Sequence, residues 1–229
     1  MINKNDKLWI QFRLGNLPLQ TENLIQIFSL LDETPLPNPS RLEYCNSNNK
    51  WRSIAINSFS DKEIIDLLKS DNKKADELMF DNNDSDNHPF VYINRTHSPI
   101  IGVTIAVHFI TDWTSNFVFN LFKSILMKIN CGVGVCHFSN VHVSMLEKHF
   151  RGQKRTFYLP ALNWLQYLGK EELERQGGME ALEANPLLKT ERIHDGLLIQ
   201  VGESPYDAFT PEGEELLVKA TRSLPPVRK

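Results

Sequence analysis

Residues 162–169 read Leu162-Asn163-Trp164-Leu165-Gln166-Tyr167-Leu168-Gly169, and this stretch predicts a strand in the interior of the fold. Successive side chains of a strand point to opposite faces. Trp164, Gln166 and Leu168 therefore share one face, and the residues that alternate with them share the other. Because both faces carry large apolar groups, the strand is typical of one covered on both sides in a layered domain.

The segments that follow have clear boundary signals. Gly169 ends the strand, and the acidic residues of 170–174 suit the first turns of a helix, where the helix dipole favours negative charge. Gly177-Gly178 divides the helical region into two pieces. Asp195-Gly196, between apolar residues in 192–201, indicates a β-hairpin.

A last helix is predicted from residue 210. Thr210 is suited to cap it, with Pro211 in the first helical position. The acidic side chains Glu212, Glu214 and Glu215 suit the positive end of the helix dipole. Leu216, Leu217 and Ala220 supply the buried face.

The N-terminal third predicts two strands and two helices. Residues 7–14 and 51–56 are expected strands, and 20–31 carry an apolar stripe at helical spacing. Ser60-Asp61-Lys62-Glu63 is a capping box that begins a second helix. We expect this helix to break near 70–72 and to resume as far as Phe80.

The middle of the chain predicts an antiparallel meander. Residues 90–95 and 100–110 alternate as strands, a turn follows at 111–115, and 116–122 are expected to return as a strand. Residues 123–130 fit helix and strand equally. Residues 133–138 form a further expected strand, and a helix-like segment follows it to Phe150.

These elements predict an α+β fold, with a mainly antiparallel sheet and helices packed on its faces in a single compact unit. The length of 229 residues suits one large domain, here 1–229, or two small ones. The polar loop at 81–87 is a weak point of subdivision, and the sequence contains no internal repeat.

Composition and charge exclude several classes of protein. The net charge of −3 divides into −3 over residues 1–96, +4 over 97–160 and −4 over 161–229. A DNA-binding face needs clustered Lys and Arg, so we expect no direct nucleic-acid partner. No apolar run approaches the roughly 20 residues of a membrane span. Without a signal peptide, and with three cysteines, the chain is expected to be cytoplasmic.

The sequence yields no catalytic, cofactor or metal site. The acidic loop at 81–87 lacks the turn glycine and the bidentate glutamate of a calcium loop. Cys131, Cys136, His137 and His142 do not form the two closely spaced ligand pairs of a structural zinc site. The chain contains neither a Gly-x-Ser-x-Gly motif nor a phosphate-binding glycine pattern. We therefore expect a protein that is not an enzyme.

The C-terminal third resembles the immunity protein 52 family over residues 160–224. Asn163-Trp164-Leu165-Gln166-Tyr167-Leu168 is similar to the G/N-W-x-x-Y-L strand of that family, with Asn163 where the family usually has glycine. Residues 196–201 and 209–212 resemble its second strand and the start of its last helix. The structural residues of this resemblance are Trp164, Tyr167, Leu168 and Gly196.

The resemblance implies an antitoxin that binds and blocks a cognate toxin of the type VI secretion system. Family members are commonly encoded beside toxins with a restriction-endonuclease-like nuclease domain. Such a nuclease has a basic cleft, which an acidic protein surface is able to occupy. Blocking a surface that the toxin needs for assembly or movement is the alternative mechanism. Whether the chain forms a homodimer is left open by the sequence.

The hypothesised toxin contacts are acidic side chains in loops, together with one aromatic anchor. They are Asp81, Asp84, Asp86, Glu203, Tyr206 and Asp207. A competing hypothesis is a small α+β enzyme or small-molecule-binding domain. It predicts a concave pocket lined by histidines or carboxylates from distant segments of the chain.

Overall fold

The computed structural model describes residues 7–13, 40–45, 50–55, 62–63, 66, 77–81, 90–95, 101–108, 114–128, 131–151 and 161–225. Ten strands lie in these ranges: β1 Lys7–Arg13, β2 Arg41–Cys45, β3 Trp51–Ala55, β4 Glu77–Asp81, β5 Phe90–Arg95, β6 Ile101–His108, β7 Val133–Phe138, β8 Leu165–Leu168, β9 Lys189–Ile193 and β10 Gly196–Gln200. The described helices are α1 Ser115–Lys128, α2 Ser139–His149, α3 Lys170–Arg175, α4 Met179–Glu183 and α5 Pro211–Arg222, with a 3-10 helix at Pro205–Phe209.

The described strands form one sheet in the order β3-β2-β4-β5-β6-β1-β7-β8-β10-β9. Every neighbouring pair is antiparallel. The first strand lies in the middle, where Ile10 is opposite Ile105 of β6 on one side and Cys136 of β7 on the other. The α+β fold class, with an antiparallel sheet and helices on it, is therefore confirmed.

One face of the C-terminal half of the sheet is covered by α1, and we call it the α1 face. The ring of Phe122 in α1 lies 4.8 Å from that of Phe12 in β1. Strand alternation and pairing place Cys136, Leu165 and Tyr167 on the same side as Phe12. All of these side chains are buried, so the α1 face is a closed core.

The opposite face, which we call the α2 face, is covered by α2, α3 and α5. Its apolar cluster joins Leu168, Leu197 and Ile199 of the sheet to residues of these helices, among them Met145, Leu173 and Leu217. Fully burying an aliphatic side chain of this size contributes about 1.5–3 kcal/mol to stability. β8 is consequently buried on both faces, as its sequence predicts.

The predicted hairpin is formed by β9 and β10, with one correction to its turn. Gly196 pairs with Ile193, so the two turn residues are His194 and Asp195, and Gly196 belongs to the strand. His194 takes a positive φ of 54°. A Cβ at Gly196 would overlap the hydroxyl of Tyr167, which donates a buried hydrogen bond to the Ile193 carbonyl at 3.1 Å. Glycine at position 196 leaves room for Tyr167.

The start of α5 confirms the predicted cap. The hydroxyl oxygen of Thr210 accepts a hydrogen bond from the Gly213 amide at 3.1 Å, and Pro211 is the first helical residue. This satisfies one of the amides that a helix start leaves without an internal partner. The division of the helical region at Gly177-Gly178 is also observed, between α3 and α4.

Two predicted elements are wrong. Residues 116–122 were expected as a strand but belong to α1, because Val118, Leu121, Phe122, Ile125 and Leu126 recur at helical spacing and are all buried. The second helix was expected to reach Phe80, but residues 77–81 form β4 and pair with β2 and β5. Sheet pairing on both sides outweighs the helical propensity of this segment.

Other predictions of the N-terminal third are tested in part. β1 and β3 are confirmed, whereas β2 was not predicted. Lys62, Glu63 and Asp66 are helical, in agreement with a helix after the capping box. The predicted helix at 20–31 lies outside the described residues. The assignment of 1–229 to one domain stays a prediction, and the strands on either side of the 81–87 loop pair with each other.

Candidate functional site

A cleft opens at the α2 face, near the carboxyl end of β7. It encloses about 290 Å³ of empty space, including its solvent-open mouth. β7 and α2 supply His137, His142 and Met145, and the segment before β8 supplies Asn163 and Trp164. The 3-10 helix and α5 close it with Pro205, Ala208 and Leu217. Segments distant in the sequence therefore meet at one concavity.

The two histidines of the cleft lie side by side. The ring centroids of His137 and His142 are 4.9 Å apart. Burial lowers the pKa of His137 to about 4, against an opposing backbone interaction with Phe138. Because desolvation disfavours the charged imidazolium, the His137 ring is neutral at pH 7. It can then donate or accept a hydrogen bond, but it carries no charge into the cleft.

Three polar atoms beside the cleft are buried without a hydrogen-bond partner in the described part of the chain. They are His137 Nδ1, Asn163 Oδ1 and Trp164 Nε1. Gln166, two residues after Trp164 and fully buried, has neither amide atom partnered among the described residues. Buried polar atoms are almost always hydrogen-bonded in folded proteins. This concentration distinguishes the region from the rest of the described core.

Two of the four residues that were considered and rejected as a zinc set lie on opposite faces of the sheet. Cys136 lies on the α1 face, and the next residue, His137, lies at the cleft on the other face. Burial raises the pKa of the Cys131 thiol to about 12 and raises that of Cys136 as well. Both therefore remain protonated thiols at neutral pH. Within the described ranges, no three His, Cys, Asp or Glu side chains are grouped to hold a metal ion.

The hypothesised toxin contacts near residue 205 have different structural roles. Asp207 accepts hydrogen bonds from the amides of Glu203 and Ser204, both at 2.9 Å, and so caps the 3-10 helix. Tyr206 is half-buried, with its ring 5.6 Å from that of Phe138. Burial raises the Tyr206 pKa, with a smaller contribution from Cys136. Glu203 is 78% exposed and forms an ion pair with Lys189.

The other hypothesised contacts are at the distant end of the sheet. Asp81 is the last residue of β4, opposite Arg41 of β2, and not a loop residue as expected. Asp84 and Asp86 lie outside the described residues. Asp81 is therefore separated by several strands from the group around Tyr206.

Exposed acidic side chains that sequence reasoning did not select lie on the helices after β8. Glu171 and Glu174 belong to α3, and Glu180 belongs to α4. None of the three forms an ion pair with another described residue, whereas Glu183 and Glu191 pair with Arg192 and Lys123. The acidic first turn of α3 is visible in the sequence, but the lack of ion pairing becomes visible only in the fold.

The residues that carry the family resemblance form one packed unit. Tyr167 and Leu168 are in β8, Gly196 is in β10 directly beside them, and Trp164 precedes β8. Trp164 and Tyr167 are both almost fully buried. These positions therefore hold the fold together, and Trp164 also lines the cleft.

Comparison with known proteins shows a shared fold but no family. No family model matches the sequence. The solved structure of the Pseudomonas aeruginosa T6SS protein PA0821 is similar over 96% of this chain and 73% of its own, with a TM-score of 0.61 and 16% sequence identity. The likeness at this identity is one of fold, and no family membership is shown.

One curated protein matches a short segment. The bifunctional helicase and thymine dioxygenase JBP2 of Trypanosoma cruzi is 34% identical over 59 residues. These cover 26% of this chain and 5% of that protein. The chain thus spans about one-twentieth of the length of this relative. Every helix in the described residues is too short or too polar to cross a membrane.

Proposed function

We propose that the chain is an immunity protein of a type VI secretion system, which binds a cognate effector toxin and neutralises it without turnover. The observation that carries this proposal is the fold shared with a T6SS protein over nearly the whole chain. The resemblance of residues 160–224 to the immunity protein 52 family supports it separately. The toxin we propose is a nuclease with a restriction-endonuclease-like domain.

The proposed mechanism is occlusion of a basic cleft by an acidic surface. Exposed carboxylates on α3 support it, because Glu171 and Glu174 form no ion pair with a cation in the described residues. Nuclease clefts are basic since they hold phosphates. Complementary charge raises the association rate and excludes partners of the wrong sign. Glu203 and Tyr206 remain proposed contacts, and Asp207 would support them by fixing the loop that carries Glu203.

Co-expression with the effector encoded next to this gene tests the proposal. Cells that make both proteins are expected to grow, and the purified chain is expected to form a stable complex with a catalytically inactive effector. A chain that gives no protection and forms no complex would remove the immunity role. Cleavage of nucleic acid by the purified chain would contradict it equally.

A charge-matched pair of variants tests the acidic surface. Glu171→Gln with Glu174→Gln removes two carboxylates that lack described ion pairs. Glu191→Gln with Glu215→Gln removes the same net charge from carboxylates already paired with Lys123 and Lys219. The first variant is expected to lower the association rate about tenfold at low salt, and the second to change it little. Equal rates for the two would exclude this surface and leave the immunity role standing.

The cleft favours a second candidate function, a binding domain for a small ligand. It brings His137 and His142 to one concavity, as the competing hypothesis requires. Its described lining contains no carboxylate, cysteine, serine or lysine, so the lining supports binding better than catalysis. Retention of a small molecule by the purified chain, in the absence of any toxin partner, would favour this candidate.

A further inference from the structure

Three residues that line the cleft each have a buried polar atom without a partner among the described residues, and these atoms are one donor and two acceptors. Trp164 Nε1 is always a donor, and Asn163 Oδ1 is an acceptor. His137 Nδ1 is an acceptor when the neutral ring carries its proton on Nε2. Asn163 is 6% exposed and Trp164 3%, so bulk water does not satisfy them.

A primary carboxamide is the side-chain group that complements this set. Its oxygen is able to accept from Trp164 Nε1–H, and its two N–H bonds are able to donate to Asn163 Oδ1 and His137 Nδ1. A hydroxyl has a single hydrogen and leaves one acceptor unmet, and a carboxylate donates to neither. One water molecule also fits the pattern, and it is the competitor that a carboxamide must displace.

The lining also selects an uncharged group of limited size. No Asp, Glu, Lys or Arg is among its described residues, and Met145, Leu162 and Leu217 make its walls apolar. An ionised group would lose its hydration without gaining a counter-charge. The empty space of about 290 Å³ includes the solvent-open mouth, so the enclosed part is well below the roughly 300–1,000 Å³ of small-molecule pockets. That space suits one side chain of a larger molecule.

We propose that this cleft is the anchor site for an Asn or Gln side chain of the protein partner, held through its carboxamide by His137, Asn163 and Trp164. This inference rests on the proposed function, because the partner is the toxin. The three polar atoms of His137, Asn163 and Trp164 are screened from solvent. A side chain that lines the cleft must therefore move aside before the carboxamide can reach them. The half-buried His142 ring, beside His137, is the side chain we expect to move. Buried, well-packed anchors of this kind carry much of the affinity of an interface.

Propionamide, which reproduces the end of a Gln side chain, tests the chemistry of the cleft without any toxin. In NMR titration of the full chain, the indole N–H signal of Trp164 is expected to shift and saturate at about 10–100 mM, the weak affinity that so small a probe allows. Propionate and butanone, which lack the amide donors, are expected to leave this signal in place. The nitrogen shifts of His137 should report a proton on Nε2.

Two variants separate a specific site from a general effect. Asn163→Leu and His137→Phe each remove one acceptor and are expected to weaken the propionamide response at least tenfold; Val143→Ala, exposed on α2 outside the lining, should not change it. If one of these two variants misfolds, the other still tests whether propionamide binds at the cleft. An indole signal that ignores propionamide, or that responds equally to butanone, would show that water alone occupies the cleft and would overturn the inference.

The partner half of the inference has its own measurement. Asn163→Leu is expected to weaken the complex with the inactive effector about tenfold or more while leaving its salt dependence unchanged, since no charge is lost. Full protection of cells with unaltered affinity of this variant would refute the anchor site but keep the immunity role. Failure of the unaltered chain to protect would instead refute the proposed function.

Discussion

The two faces of the same strands, β7, β8 and β10, differ in how completely their buried polar atoms are paired within the described residues. The α1 face is closed by apolar side chains, with Phe12 against Phe122 and Tyr167 bonded to the Ile193 carbonyl. The α2 face is equally buried near Leu168, but Gln166 on this face, and Asn163 and Trp164 in the lining of the cleft, have buried polar atoms without partners among the described residues. We infer that the first face holds the fold, whereas the second gives up stability for recognition.

The largest effect is expected for Gly196→Ala on the α1 face. The new Cβ would lie 2.6 Å from the Leu168 carbonyl oxygen and overlap the hydroxyl of Tyr167. Displacing Tyr167 also breaks its buried hydrogen bond, so we expect a loss of about 3 kcal/mol or more in urea unfolding. Gly178→Ala is the control: its Cβ meets nothing within 4 Å, and its φ of 96° alone should cost about 1 kcal/mol. Equal losses at both positions would contradict the close contact.

Phe122→Ala tests the same face from the helix side. Phe122 is fully buried against Phe12, so its truncation leaves a cavity and should cost about 3–5 kcal/mol of unfolding free energy. Met127→Ala on the same helix is the control, because Met127 is 55% exposed and should change stability by less than about 0.5 kcal/mol. If the two losses were similar, α1 would not be packed on this face as described.

Gln166→Met should behave in the opposite way on the α2 face. Both amide atoms of Gln166 are buried without partners among the described residues. An apolar side chain of similar shape avoids the free-energy cost of burying these unpaired polar atoms. We expect thermal and urea unfolding to show unchanged or higher stability, by up to about 1–3 kcal/mol. Gln166→Ala, which also removes packing, should destabilise. A clear loss of stability for the methionine variant would mean that the amide is paired.

The smallest effect is expected for Glu214→Gln, measured against pH. Glu214 Oε1 accepts from Lys148 Nζ at 2.8 Å and His149 Nε2 at 2.6 Å, and these contacts, Lys148 first, lower the pKa of the carboxyl group. A carboxyl with a lowered folded pKa stabilises above its unfolded pKa of about 4.3, and this stabilisation is lost as the pH falls through the folded value. The difference in unfolding free energy between the wild type and this variant should therefore shrink from pH 7 to pH 3.

A neighbouring carboxyl group provides the comparison for that measurement. Glu215 pairs with Lys219 along the same helix and is more exposed, so Glu215→Gln should give a smaller difference at every pH. Glu214 instead joins α5 to the end of α2, across the α2 face. A pH profile that is the same for both variants would show that the link between the two helices contributes nothing.

Local signals explain what the sequence predicts well. Thr210 and Pro211 define the start of α5, and Gly177-Gly178 marks the boundary between α3 and α4, because caps and glycines act within a few residues. The segment at 116–122 misleads because it is rich in phenylalanine and contains a valine, residue types that strands favour. The buried set from Val118 to Leu126 shows helical spacing only over a longer window.

Long-range placement explains what the sequence does not predict. Cys131, Cys136, His137 and His142 attract attention as a possible metal set, yet the sheet sends Cys136 and His137 to opposite faces. The pairing of β7 with β8 brings His137 close to Asn163 and Trp164 at the cleft. Neither segment by itself predicts this pairing. Ion pairing of the acidic residues likewise depends on which cations the fold brings near them.

The position of β1 has a consequence for how this protein is made. Its residues 7–13 pair with 102–108 on one side, and 8–13 pair with 133–138 on the other, although β1 is synthesised well before either neighbour. The chain must therefore be synthesised as far as residue 138 before this strand acquires both neighbours, and its apolar residues Leu8, Ile10 and Phe12 lack this cover until then. Strand pairing that is late and non-local slows folding and leaves the nascent chain prone to aggregation. We therefore expect a chaperone to assist folding of this protein in the cell.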